Sequence, residues 1–213
     1  DVSPSSGIKY IEALEKKLKN LQMGKIASIS GRYYGMDRDN NFDRIKKSYE
    51  VMTEMTPIED VKKVWKECQK KKITDEFITP TRTCEDGIIK DNDGLIFFNF
   101  RPDRLKQLAS IFTNESYQAF PHSKISNLKV VTMLPVTESV LCPYAFSHPK
   151  INNSLGEYLS SLGYSQLRIA ETEKYAHVTY FFDGGVDREL PMERRILVPS
   201  PKVATYDLEP KMS

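Results

Sequence analysis

Apolar residues at Ile8, Ile11, Leu14 and Leu18 form one stripe at helical spacing, preceded by Ser5 and Ser6 as candidate N-caps. Lys16, Lys17 and Lys19 toward its far end suit the helix dipole. A short apolar approach at 26–29 predicts a strand, which delivers the charged loop SGRYYGMDRD (30–39). Residues 42–54 and 57–71 predict two helices, the second opened by Pro57 with Glu59 and Asp60 in its first turn. The run Gly94-Leu95-Ile96-Phe97-Phe98-Asn99-Phe100 is too continuous to alternate and predicts a buried strand. Asp91-Asn92-Asp93-Gly94 before it is a turn and not a calcium loop, because the twelfth position from Asp91 is Pro102 and not a glutamate. A helix is expected over about 103–113, a strand over 128–134, and a proline-bearing connector over 139–149. Beyond lie a helix near 153–162, a strand at 166–170, a helix near 173–182 and a last strand at 195–199. This alternation predicts an α/β fold in both parts of the chain.

Composition narrows the partners more than the fold. The 213 residues, 39% of them hydrophobic, suffice for one large domain or two small ones. A net charge of +2, from 31 basic and 29 acidic residues, gives no general reason to expect nucleic acid or a membrane surface. The tyrosines are not interleaved with a basic stripe, and Lys70-Lys71-Lys72 reads as a solvated face. No run approaches 18 apolar residues, and the opening Asp1-Val2-Ser3-Pro4 lacks a signal-peptide layout. Cys68, Cys84 and Cys142, odd in number and scattered, suggest reduced thiols and a cytoplasmic setting. His122, His148 and His177 stand at ligand spacing neither from one another nor from a cysteine, so no metal ligand set is expected here.

The candidate chemistry lies in two arginine pairs that follow strands: Arg32 with Arg38, and Arg101 with Arg104. A guanidinium fork matches carboxylate or phosphate oxygens two at a time, which a lysine cannot do. The three-residue spacing of Arg101 and Arg104 at a helix start sets both forks on one side, beside backbone N–H groups. The other reading is structural: Asp37, Asp39 and Asp103 are in reach, and strand-end arginines commonly pair with such acids. Lys174, beside Glu171 and Glu173, is either a salt-bridge partner or an active-site cation, and His177 reads as a core or capping residue. There is no GxSxG, P-loop or GxGxxG motif.

The segments SGRYYGMDRD (30–39), DEFITP (75–80), IFFNFRPDR (96–104), NSLGEYL (153–159), RIAETEKYAHVTYFFDGG (168–185) and LVPSPKVATYDLEPKMS (197–213) resemble cofactor-independent phosphoglycerate mutase. The resemblance runs in the family's order along the whole chain. It implies interconversion of 3-phosphoglycerate and 2-phosphoglycerate through a phosphoserine. It also implies an alkaline-phosphatase-like domain with two Mn2+ and an inserted transferase domain. On this resemblance residues 1–138 are the transferase, substrate-binding domain without its first part, 139–150 a hinge, and 151–213 part of the phosphatase-like domain.

Arg32 and Arg38 then match substrate-binding arginines, Arg101 and Arg104 a phosphate-gripping pair, and Asp1 a carboxylate that binds the glycerate hydroxyls and moves a proton. Lys174 matches a lysine near the phosphoserine. The nucleophilic serine and the metal ligands have no match in these residues. The expectation is a central fragment without turnover of its own. The complete enzyme is expected to be a cytoplasmic monomer, and the fragment to self-associate through exposed sheet edges. A non-catalytic anion-binding or interaction module is the alternative. Gly35 replaces the family's usual alanine and Asp183 a common asparagine, the first loosening the loop.

Overall fold

The structure, a computed structural model, describes residues 2–149 and 151–213. Its contacts divide the chain into two compact units, Asp1–Ala145 and Phe146–Ser213. The first unit runs α1 (Gly7–Leu21), β1 (Ser28–Ile29), α2 (Arg32–Gly35), α3 (Phe42–Thr53), α4 (Val61–Lys70), β2 (Thr81–Arg82), β3 (Gly94–Phe97), α5 (Lys106–Thr113) and β4 (Lys129–Thr132). β1 pairs antiparallel with β2, and β3 pairs parallel with β4 from Gly94↔Lys129 to Phe97↔Thr132.

Of the α1 stripe, Ile8 packs against Val64, Trp65 and Ile78, with Ile29 and Cys68 beside them, while Ile11 and Leu18 are half-buried and Leu14 is 49% exposed. Its start differs from expectation. The Ser6 hydroxyl turns back to the Ser3 carbonyl, and the first helical N–H, on Gly7, donates to the Asp75 carboxylate at 2.6 Å. That carboxylate comes from 68 residues away, so the cap is tertiary. α4 starts at Val61 and not at Pro57. Ile58 is drawn into a parallel bridge with Arg82, and a residue extended for such a bridge is lost to the helix. Asp60 then caps, accepting from the Lys63 N–H at 2.9 Å.

The main core joins Ile45 and Tyr49 of α3 to Leu108, Ala109 and Ile111 of α5, with Phe97 of β3 and Val130 of β4. Ile45 is 1% exposed, a burial that contributes about 1.5–3 kcal/mol. β3 is not the fully buried strand its composition suggests. Phe97 is 8% exposed, whereas Ile96, Phe98 and Phe100 are 68%, 73% and 56% exposed. Among the described residues β3 has β4 as its one partner strand, and only its Phe97 side joins this core. The segment after β4 is tied down: the Asn114 side chain donates to the Ser139 carbonyl and the Leu141 N–H to Thr113 Oγ1.

The second unit contains α6 (Leu155–Ser161), β5 (Gln166–Glu171), α7 (Thr172–Val178) and β6 (Glu193–Val198). Ser154 and Glu157 form a reciprocal capping box at the start of α6. β5 and β6 pair parallel from Gln166↔Glu193 to Glu171↔Val198. α7 ends four residues earlier than its pattern suggested, where the left-handed Gly184 (φ 73°) and Gly185 (φ 87°) close the following turn. Beneath it the Arg168 guanidinium meets Asp183 at 3.3 Å, and Arg195 approaches the same carboxylate at 3.6 Å. Burial raises the Asp183 carboxyl, and neighbouring Glu193 adds to this, against the opposing charges of Arg168 and Arg195. Gly156 lets α6 approach this pair: a Cβ there would stand 2.4 Å from Arg168 Nη2.

Cys68, Cys84 and Cys142 are free thiols. Among the described residues no helix is long and apolar enough to cross a membrane.

Candidate functional site

The arginine loop is held by backbone contact with the segment 75–78. The Gly31 N–H donates to the Ile78 carbonyl at 2.7 Å, and the N–H groups of Tyr34 and Gly35 then close α2 onto the Gly31 carbonyl. A Cβ on Gly31 would lie 2.3 Å from the Glu76 carbonyl oxygen, so this approach requires glycine although its φ of −66° is ordinary. Arg32 follows directly, its Nη2 3.0 Å from Glu76 Oε2, with side chains 56% and 31% exposed.

Past α2 the chain wraps around one buried carboxylate. Asp37, 4% exposed, accepts from the Asp39 N–H (3.0 Å), the Asn41 N–H (2.9 Å) and side chain (2.8 Å), and the buried Gln107 amide (2.9 Å). A carboxylate gathering this many donors fixes the loop 36–41. Arg44 reaches the same carboxylate at 3.5 Å while lying 3.9 Å over the Tyr33 ring.

Two further arginines then converge on Arg38. Asp103 Oδ2 accepts from Arg38 Nη1 at 2.8 Å, and the same carboxylate accepts from Arg101 Nε (2.8 Å) and Nη2 (3.2 Å). Arg104 Nη1 donates to the Met36 carbonyl at 2.9 Å, which brings it onto the arginine loop. Burial depresses Arg104, and the nearby guanidinium groups of Arg38, Arg32 and Arg101 depress it further. The guanidinium contribution to that depression, second to burial and partly offset by Asp103, reflects cations gathered in one place. Burial would raise Asp103, but hydrogen bonds and charge from Arg101 and Arg38 outweigh it and hold that carboxyl below its ordinary 3.8. Asp39 goes the other way. Burial and then the Asp37 charge raise it against the opposing arginines, and its Oδ1 is buried without a hydrogen-bond partner.

Arg32, Arg38, Arg101 and Arg104 are thus brought together in the first unit: Arg32, Arg38 and Arg101 pair with acids, as the structural reading expects, and Arg104 joins them through the Met36 carbonyl. The expected helix start at 101–104 is instead a separate 3-10 turn, Pro102–Arg104, with α5 beginning at Lys106. Pro102 has no N–H, so guanidinium groups rather than helix-end donors supply the positive character. Lys174 is exposed on α7 of the second unit. Asp1 lies outside the described residues. Sequence reasoning named Asp37 and Asp103 only as generic partners and passed over Glu76 and Gln107. The one signal for Asp103 was its place between two arginines.

Among the described residues no cluster of three or more His, Cys, Asp or Glu side chains could hold a metal ion. The two-manganese centre implied by the resemblance therefore does not fit these residues.

The fold and this site define a mixed α/β protein whose loops gather guanidinium groups from two segments. Residues 1–137 match the family profile described as BPG-independent PGAM N-terminus. The whole chain is 47% identical to the 2,3-bisphosphoglycerate-independent phosphoglycerate mutase of Cyanothece sp., covering 40% of that protein. It is 46% identical to the Methanosarcina barkeri protein of the same description, numbered 1, covering 43% of it. The fold matches a Leishmania mexicana phosphoglycerate mutase, crystallised at low cobalt concentration, with TM-score 0.87 at 23% identity over 97% of this chain and 41% of that one. The chain belongs to the 2,3-bisphosphoglycerate-independent phosphoglycerate mutase family and spans about two fifths of the length of these relatives.

Proposed function

We propose that this chain supplies the substrate grip of a phosphoglycerate mutase, an isomerase of glycolysis and gluconeogenesis that interconverts 3-phosphoglycerate and 2-phosphoglycerate. The observation that carries the reading is the convergence of Arg38, Arg101 and Arg104, with Arg32 in electrostatic range, in a member of this family. Gathered guanidinium groups repel one another, and a phosphate or carboxylate among them offsets that repulsion while matching their planar forks. Arg32 and Arg38 hold the substrate's carboxylate end, and Arg101 and Arg104 its phosphate. Asp1 takes the glycerate hydroxyls and moves a proton. Lys174 offsets charge that develops during phosphoryl transfer.

On this reading 1–138 is the substrate-binding domain, 139–150 a hinge and 151–213 part of a phosphatase-like domain. The serine nucleophile and two manganese ions, which supply the phosphoryl-accepting chemistry, belong to parts of the family not matched by this chain. The complete enzyme works in the cytoplasm as a monomer, with phosphoglycerates as its partners, and the fragment self-associates. The test is 31P NMR of the complete enzyme of which these residues are the central part, with 3-phosphoglycerate, manganese and no added 2,3-bisphosphoglycerate. The 213 residues alone are expected to bind without turnover. Growth of the 2-phosphoglycerate resonance supports the reading. Binding without interconversion by the complete enzyme would reduce the chain to an anion-binding module, and absence of both would overturn the reading.

A further inference from the structure

Asp103 is bonded to arginines from both segments of the site: Arg38, 65 residues away, and Arg101, its near neighbour. The three bonds differ from those of a surface pair. The Asp103 side chain is 9% exposed and Arg38 only 10%, so both charges are largely withdrawn from water and depend on each other. Arg101 offers both Nε and Nη2 to the two oxygens, a bidentate fork that fixes the plane of its guanidinium. Arg38 Nη1 shares Oδ2 with Arg101 Nη2. A negative charge at that point offsets the repulsion between these two guanidinium groups, and its loss would favour their separation.

We propose that Asp103 is a positioning residue that locks Arg38 and Arg101 into a single preformed receptor for the phosphorylated substrate. It acts through the two arginines and does not itself bind the ligand. Its burial decides between this role and that of a stand-in anion displaced on binding: a ligand would have to expel a nine-tenths-buried carboxylate from three charge-assisted bonds. Glu76 on Arg32 is the contrasting case, a more exposed acid with a single contact at 3.0 Å. The inference rests on the phosphoglycerate reading above and adds to it the residue that organises the grip.

The sign of the effect discriminates. Removing a negative charge from an anion site strengthens anion binding if charge alone matters, whereas removing a positioning group weakens it. Steady-state kinetics with 3-phosphoglycerate are to be measured on the intact protein as wild type, Asp103→Asn, Arg101→Met and the double variant. The expected result is a KM raised about tenfold or more by Asp103→Asn, equivalent to ~1.4 kcal/mol, with kcat changed less than about threefold. In the Arg101→Met background the same substitution should cost at least about threefold less, because half of what it positions is gone.

An unchanged or lowered KM for Asp103→Asn, or a fully additive double variant, overturns the proposal. Should Asp103→Asn fail to fold, Asp103→Glu keeps the charge and shifts it by one methylene. That variant should also raise KM while the thermal midpoint stays near wild type, and a wild-type KM would overturn the proposal equally. A wild type that neither turns over nor binds 3-phosphoglycerate overturns the functional reading and this inference with it. An active wild type with an indifferent Asp103 overturns the inference alone.

Discussion

Gly31→Ala is the smallest change that should disturb the site through its scaffold. The added Cβ would stand 2.3 Å from the Glu76 carbonyl oxygen and 2.7 Å from both the Glu76 carbonyl carbon and the Ile78 nitrogen. All three are backbone atoms, so no flexible side-chain end can swing away, and the loop or the 75–78 segment must move bodily. Forced displacement of this kind costs about 1–3 kcal/mol. Stretching the 2.7 Å bond from Gly31 N–H to the Ile78 carbonyl removes a further ~1 kcal/mol. Backbone strain contributes nothing, because φ −66° and ψ 152° suit alanine. Chemical denaturation should therefore show a loss of about 2–4 kcal/mol at unchanged slope. The displaced Arg32 should raise KM for 3-phosphoglycerate in the same variant. Gly35→Ala is the internal control: its Cβ would meet side-chain atoms, nearest the Ser30 and Ser48 hydroxyls at 3.3 and 3.4 Å, and should cost under about 1 kcal/mol. Wild-type stability and KM in Gly31→Ala, or equal losses in both variants, would refute the reasoning.

Three other outcomes are expected. Asp183→Asn removes the carboxylate that holds Arg168 at 3.3 Å and should destabilise the second unit by about 3 kcal/mol in denaturant titration, since it leaves a buried guanidinium uncompensated. Arg82, 4% exposed, has Met55 Sδ at 3.2 Å from its Nη1 and a buried Nε without a partner, so Arg82→Met should raise the thermal midpoint rather than lower it. A carboxyl 13C NMR titration should separate the aspartates, with Asp103 titrating below 3.8 and Asp39 and Asp183 above it. For Asp103 the folded value is the lower one, so its stabilisation is fully present above the unfolded pKa and is lost as pH falls through the folded pKa. For Asp39 and Asp183 the folded value is the higher one. They favour folding below the unfolded pKa and lose that advantage as pH rises through the folded one.

The helical stripe at Ile8, Ile11, Leu14 and Leu18 and the strand at 166–170 were legible because local period alone determines them. The family was legible too, from long motifs rather than from any single residue. What escaped depended on tertiary partners. The α1 cap comes from Asp75 and not from the adjacent serines, and Ile58 is taken by a bridge to Arg82. The continuous run at 94–100 concealed a one-sided strand, because composition cannot say how many neighbours a strand finds. In the site, the arginines stood out by residue type. Their organisers, Asp37 and Asp103, did not, since a carboxylate that arranges guanidinium groups reads along the chain like any surface acid. Gly31 was equally silent, its role being close approach at an ordinary φ.

The central claim is that these arginines grip a phosphorylated hydroxy acid. Calorimetric titration of 3-phosphoglycerate into the intact protein, as wild type and as Arg38→Met/Arg101→Met, tests it most directly. The account predicts saturable binding by the wild type and a loss of at least about 30-fold in the variant, from the charge-assisted bonds removed. Equal affinity in the two proteins would contradict it.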